Sequence, residues 1–202
     1  MRRWGPLFLI VLGLTAMACG DDAPPSDATD DSSARPASTQ QSAAPQDTPP
    51  GGEVFTDPEG TYEIDVGPTW SMGDASALGA QAAEIEFWDV GSRAEGLQPN
   101  INIQTQATGG MSLEEFLRIS TEGPTAVPNI IESDVTTSSS GDPMILLEYQ
   151  TRVLPDVPQQ HLTAVAIASG ADTVLATFTA ANAAYDELIA EVEPYLLTLR
   201  AR

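Results

Sequence analysis

From residue 61 onward, apolar and polar positions alternate with a period of two over several stretches. Thr61 to Val66 sets Tyr62, Ile64 and Val66 on one side and polar residues on the other, the pattern of a strand with one buried face. Glu84 to Val90 repeats it with Ile85 and Phe87, and Asn100 to Gln104 with Ile101 and Ile103. Four later stretches also read as strands: Ile130–Thr137, Met144–Val153, Leu162–Ala168 and Thr173–Thr179. Ser169-Gly170-Ala171-Asp172 joins the last two as a tight hairpin, because glycine supplies the positive φ such a turn needs. Gly141-Asp142-Pro143 predicts the turn before Met144, with Ser138-Ser139-Ser140 in the same loop.

The period changes to 3.6 in two places. Ser112-Leu113-Glu114-Glu115 has the form of a capping box, in which the serine and Glu115 side chains each satisfy an amide at a helix start. Leu113, Phe116 and Leu117 then make one apolar stripe, and Gly123-Pro124 should end the helix. The second helix is expected over Ala183–Arg200, with Tyr185, Leu188, Ile189, Val192, Leu196 and Leu199 on one face. Pro194 predicts a kink or a split there, and Arg200 and Arg202 would suit the negative end of the dipole. The order β-β-β-α-β-β-β-β-α predicts an α+β domain over residues 53–202, its antiparallel sheet covered by helices.

The succession of these segments resembles the PsbP/Mog1/LpqN-like superfamily. The similarity is carried by Gly60-Thr61-Tyr62-Glu63-Ile64 with Pro68-Thr69-Trp70, by Asn100-Ile101-Asn102-Ile103, and by the capped Ser112-Leu113-Glu114-Glu115-Phe116 helix. The late hairpin running into a terminal amphipathic helix is similar too. Each motif is loose and the specificity lies in their order, over about residues 54–200. The resemblance implies an α/β/α sandwich around an antiparallel sheet, and a lipid-anchored envelope protein of the LpqN type. It implies partner binding and no shared catalytic residues, so no active site carries over.

The opening of the chain has a different texture. Met1-Arg2-Arg3-Trp4 is a short basic region, followed by an apolar run from Leu7 to Leu14 and small residues up to Cys19. That order is the order of a secretory signal, and the run is well short of the ~20 residues that cross a bilayer. Ala16-Met17-Ala18-Cys19 resembles a bacterial lipobox, with Ala16 where leucine is more usual. The expectation is cleavage after residue 18 and acylation of Cys19, with palmitate among the chains, at the cell membrane or the outer membrane on its extracytoplasmic or periplasmic side. Each buried methylene adds about 0.8 kcal/mol of membrane affinity, and two or more chains give stable attachment.

Residues 20–52 carry six prolines, many Ser, Thr, Ala and Asp, and no large apolar side chain. Such a stretch cannot bury enough surface to offset its chain entropy and is expected to be a disordered acidic tether. As a random coil it would span roughly 30 Å. The formal net charge of the whole chain is −21, and the basic residues number eight, all arginine. So acidic a surface repels phosphates and disfavours nucleic-acid binding.

Candidate chemistry is sparse. The chain has one histidine, His161, no lysine and one cysteine, whereas general acid–base and nucleophilic catalysis need a poised titratable group or an activated nucleophile. His161 is expected at the surface at the start of a strand. No Gly-x-Ser-x-Gly elbow occurs. The carboxylate pairs Glu63/Asp65 and Glu84/Glu86 should lie on the wet face of alternating strands. Zinc would lack its His and Cys ligands, and no calcium loop is present, so neither metal nor cofactor is expected. Trp88 follows Phe87, so one of the two must leave the face the other occupies, and Trp88 is the candidate partner contact. The sequence therefore points to a non-catalytic binding or scaffold domain with an envelope protein partner. Two alternatives stand beside it: a carrier of a small apolar ligand or lipid, needing a large apolar cavity, and a hydrolase, needing His161 beside a serine and an acid.

Overall fold

The computed structural model describes residues 52–72, 85–124, 126–152 and 158–202, for residues 85–87 the backbone alone. Its larger sheet has seven antiparallel strands. In chain order these are β3 (Ser71–Met72), β4 (Ile85–Asp89), β5 (Asn100–Gln106), β6 (Ile130–Thr137), β7 (Pro143–Thr151), β8 (Gln160–Ser169) and β9 (Asp172–Ala181). They lie side by side as β3-β4-β5-β9-β8-β7-β6. The β8–β9 hairpin forms over Ser169–Asp172 with Gly170 at φ 62°, as that glycine predicts. Gly141, at φ 89°, turns the chain between β6 and β7, where Ser138, Ser140 and Asp142 bond to one another.

Period-two alternation across these pairs gives the sheet two apolar faces. Helix α2 (Asn182–Leu196) covers one and α1 (Leu113–Glu122) the other. The α2-side core gathers Ile101, Ile103, Val165, Ile167, Val174 and Phe178 under Tyr185, Val192 and Leu196. The α1-side core gathers Ile145, Leu147, Tyr149, Leu162, Ala164 and Ala166 under Leu113 and Phe116. The result is an antiparallel sheet between helices, as the order of segments predicts.

Helix α1 begins with the serine half of the expected capping box, the Ser112 hydroxyl accepting the Glu115 amide at 3.2 Å. The carboxylate of Glu115 lies 3.9 Å from Arg118, an exposed pair one turn on. Gly123 ends the helix, its amide donating to the Ile119 carbonyl at 3.0 Å. Helix α2 is not split at Pro194, which lies inside one continuous helix. The proline falls in the last turn, where only the carbonyl of Ala190 loses its helical donor and the chain is about to leave the helix.

Beyond Leu196 the chain does not stay helical. Arg200–Ala201 form a short strand, β10, against β2 (Tyr62–Val66), which also pairs with β1 (Glu53–Thr56). This three-stranded sheet closes the α2-side core through Tyr62, Ile64 and Phe55. Arg200 and Arg202 therefore serve strand partners and not a helix dipole. Arg200 lies 3.1 Å from Glu63 and 3.4 Å from Asp65, and Arg202 lies 3.1 Å from Glu63. Asp65 is not on a wet face: it is buried, and its amide donates to the Thr198 hydroxyl. The other expected pair, Glu84/Glu86, lies outside the described residues or side chains.

Candidate functional site

The α2-side face of the sheet ends in a polar corner on strands β6, β7 and β8. Register fixes who meets whom there. Glu148 of β7 faces Glu132 of β6 on one side and Thr163 of β8 on the other, and His161 lies beside Gln150. His161 is thus not at the surface: it is 7% exposed, with Nε2 2.7 Å from Glu148 Oε1. Its ring lies flat on that of Tyr185, projected from α2. The Tyr185 and Thr163 hydroxyls are bonded to each other. Burial pushes the Tyr185 phenol well up, and the Thr163 bond offsets only part of that.

A third carboxylate, that of Glu193, reaches this corner from α2. Burial holds it above the ordinary carboxylate range, and the negative charges of Glu132 and Glu148 add to the rise. Behind the corner, Gln159 donates to Gln150 at 2.8 Å and Gln150 to Asn182 at 2.9 Å, tying the strand ends to the start of α2. The corner therefore combines three glutamates with one imidazole. Among the described residues no other basic group pairs with any of the three.

His161 spends one ring nitrogen on Glu148 and one ring face on Tyr185, and the Thr163 hydroxyl of the same strand is engaged by Tyr185. Among the described residues no serine bonds to His161, and no group of three His, Cys, Asp or Glu is arranged to hold a metal.

Under α1 the sheet leaves a cleft of about 40 Å³, lined by Asn102, Gln104, Thr177, Phe116 and Leu162 among others. A carrier site needs roughly 300–1,000 Å³ of enclosed space. A wider hollow of about 410 Å³ opens to solvent between the start of α1 and the β6–β7 turn, with Glu114 and Asp142 on its wall. Neither is an enclosed apolar cavity of carrier size.

Trp88 requires a correction. It is 4% exposed and meets Phe55 of β1 edge-on, ring centroids 4.9 Å apart, so it belongs to the core and presents no face to a partner. Strand β1 covers it, and Glu53–Thr56 carries too little alternation to announce itself. Cys19 lies outside the described residues. The glutamate corner was missed because it is assembled by strand register; its one local signal is Glu148, an acid inside the apolar run of β7.

No protein-family model matches the chain, and no curated protein matches it in sequence. Solved structures place its fold: an antiparallel sheet with helices on both faces, of the PsbP-like kind. It is similar to cyanobacterial PsbP (CyanoP) from Synechocystis, at 12% identity and a TM-score of 0.51, over 75% of this chain and 92% of that one. A crystal structure from Bacteroides thetaiotaomicron aligns at 12% identity and a TM-score of 0.51, covering 75% of this chain and 48% of that one. The yeast Ran-binding protein Mog1p aligns at 12% identity and a TM-score of 0.48, over 74% of this chain and 95% of that one. At such identities the likeness is one of fold.

Proposed function

We propose that the chain is a lipid-anchored extracytoplasmic protein whose PsbP-like domain binds a protein partner in the bacterial envelope and catalyses no reaction. The observation that carries the domain's part is the state of His161, the one histidine of the chain. It is locked between Glu148 and the Tyr185 ring, a structural role and not a poised one. The fold-level likeness to PsbP agrees with a binding role. The anchoring part rests on the basic, apolar and small-residue order before Cys19, and on a tether long enough to hold the domain off a membrane surface.

Two measurements test the two parts separately. Metabolic labelling with palmitate should mark the full chain, and Cys19→Ser should abolish both the label and membrane attachment. A Cys19→Ser protein still processed normally and bound to membranes would overturn the anchor. Crosslinking in the native envelope followed by mass spectrometry should recover a specific protein. Extraction of bound lipid with no specific protein would favour the carrier instead.

A further inference from the structure

Helix α1 packs on β6, β7 and β8, and the cleft of about 40 Å³ lies along its flank, between Phe116 and Ser120 on the helix and Asn102 and Gln104 on β5. Two features of the sequence make it. Strand β8 presents Ala164 and Ala166 on the α1 side, and single methyl groups there leave a trough. Strand β5 presents carboxamides where the strands under the helix present apolar groups. Register sets Asn102 beside Thr177 of β9 and Thr177 beside Ala164, then Gln104 beside Leu175 and Leu175 beside Ala166. The cleft therefore has an apolar bank and an amide bank, and among the described residues that line it none is charged.

Its polar groups are not used up internally. Asn102 donates Nδ2 to the Thr177 carbonyl at 3.4 Å, which leaves its Oδ1 to accept. The hydroxyls of Ser120, Tyr149 and Thr177 have no hydrogen-bond partner among the described residues, and burial alone raises the Tyr149 phenol. Further along the same face, Asn100 Oδ1 and both polar atoms of the Gln160 carboxamide are buried without a partner. Buried polar groups are normally hydrogen-bonded, and one left unpaired is a cost to the fold.

We propose that this cleft is a binding site for a small neutral amide, a molecule with a short apolar body and one carboxamide or peptide group. The assignment goes beyond the partner-binding reading and does not depend on it. An anion is repelled by a chain of formal charge −21, and an ion of either sign would leave water for a wall that holds no counter-charge. A hydrocarbon would leave the carboxamides and hydroxyls desolvated and unpaired. A carboxamide both donates and accepts. Its N–H groups suit Asn102 Oδ1, and its oxygen suits the Ser120 and Tyr149 hydroxyls across the trough. Volume sets the size. One water needs about 10–15 Å³ of such space, so the cleft encloses about three or four heavy atoms and the rest of the ligand lies at its mouth. An acyl chain is far too long for it.

The test titrates the full-length protein with isobutyramide and with two near-isosteres, isobutyrate and 3-methyl-2-butanone, and follows backbone amide shifts. Isobutyramide should bind with a Kd of about 1–10 mM, as suits so few atoms, and should move amides of α1, β5, β8 and β9 around the cleft. The ketone, which lacks the N–H groups, and the carboxylate should each bind about tenfold more weakly or not at all. This comparison needs no variant to fold. Asn102→Ala should weaken isobutyramide about fivefold, and Ala164→Val, which puts two more carbons into the trough, should abolish its shifts. No saturable shift by about 50 mM isobutyramide, shifts away from the cleft, or an equal response to all three molecules would overturn the proposal. Crosslinking to an envelope partner decides the other reading separately, so the two fail independently.

Discussion

The imidazole of His161 lies on the phenol ring of Tyr185, centroids 3.4 Å apart and planes within 10°. The stack joins strand β8 to helix α2, and the Tyr185 hydroxyl bonds to Thr163. Removing the hydroxyl and removing the ring should therefore have separable costs. Tyr185→Phe keeps the stack but leaves the buried Thr163 hydroxyl without this partner, a loss of about 1–2 kcal/mol. Tyr185→Ala opens a cavity over Phe178 and His161, a loss of about 3–5 kcal/mol. Urea unfolding of the two variants checks the order; equal losses would show that the ring contributes little.

Arg200 and Arg202 both pair with Glu63, but their surroundings differ. Arg200 also meets Asp65, whose side chain is 5% exposed, whereas Arg202 is itself 52% exposed. Cutting the first strands a buried carboxylate, and cutting the second releases a screened surface pair. Arg200→Leu is expected to cost about 2–4 kcal/mol, and Arg202→Leu at most about 0.5 kcal/mol. Thermal unfolding of the two single variants in moderate salt decides the matter.

Glu193 makes a prediction with a definite sign in pH. Its carboxyl is held above the ordinary range by burial and by the charges of Glu132 and Glu148. The folded state thus disfavours its ionised form. The stability tied to this group is fully present below the unfolded pKa and is lost as pH rises through the higher folded value. Glu193→Gln should raise the melting temperature at pH 7 and leave it unchanged near pH 3. Because the residue is only partly buried and still meets solvent, screening keeps the gain to a few degrees at most. A variant less stable at pH 7 than the wild type would contradict the assigned repulsion.

Alternation was enough to find the strands of the larger sheet that carry its core, because each has a buried face that must be apolar at every second position. It could not find β1, β3 or β10, which are two to four residues long; four residues hold too few alternations to separate from a loop. For the same reason Trp88 was misjudged: the strand that hides it, β1, was invisible. Asp65 looked like a wet-face acid because nothing local shows that Arg200, far along the chain, returns to it. Pro194 was read by residue type alone, when its position in the last turn removes most of its cost. The glutamate corner is a product of register between β6, β7 and β8, and a single sequence states strands more plainly than it states their alignment.

Tyr149, on the α1 side, gives an alkaline test. Burial pushes its phenol up to about 12. An acid with a raised folded pKa contributes stability that is present below its unfolded value, near pH 10, and lost as pH climbs toward the folded one. Wild-type stability should therefore fall between about pH 10 and pH 12 by roughly 2 kcal/mol from this group alone. Tyr149→Phe should flatten that part of the decline in denaturant unfolding, while the buried Tyr185 keeps some of it. An unchanged slope would mean that the phenol is reached by solvent before the domain unfolds.

The outer edge of the seven-stranded sheet is β6, and it carries two devices against pairing with another chain. Its ladder is irregular between Ile130 and Glu132, and the Asp134 carboxylate accepts the Val135 amide at 2.8 Å. A strand edge otherwise offers its free amides and carbonyls to any extended segment, and Ile130 and Ile131 are exposed beside this one. Asp134→Val would release the Val135 amide from that acceptor, remove a charge and add a β-branched apolar residue. The expected outcome is concentration-dependent light scattering at temperatures where the wild type stays clear. If the variant remained as clear as the wild type at high concentration, the edge would be protected by its irregular ladder alone, and Asp134 would have no part in guarding it.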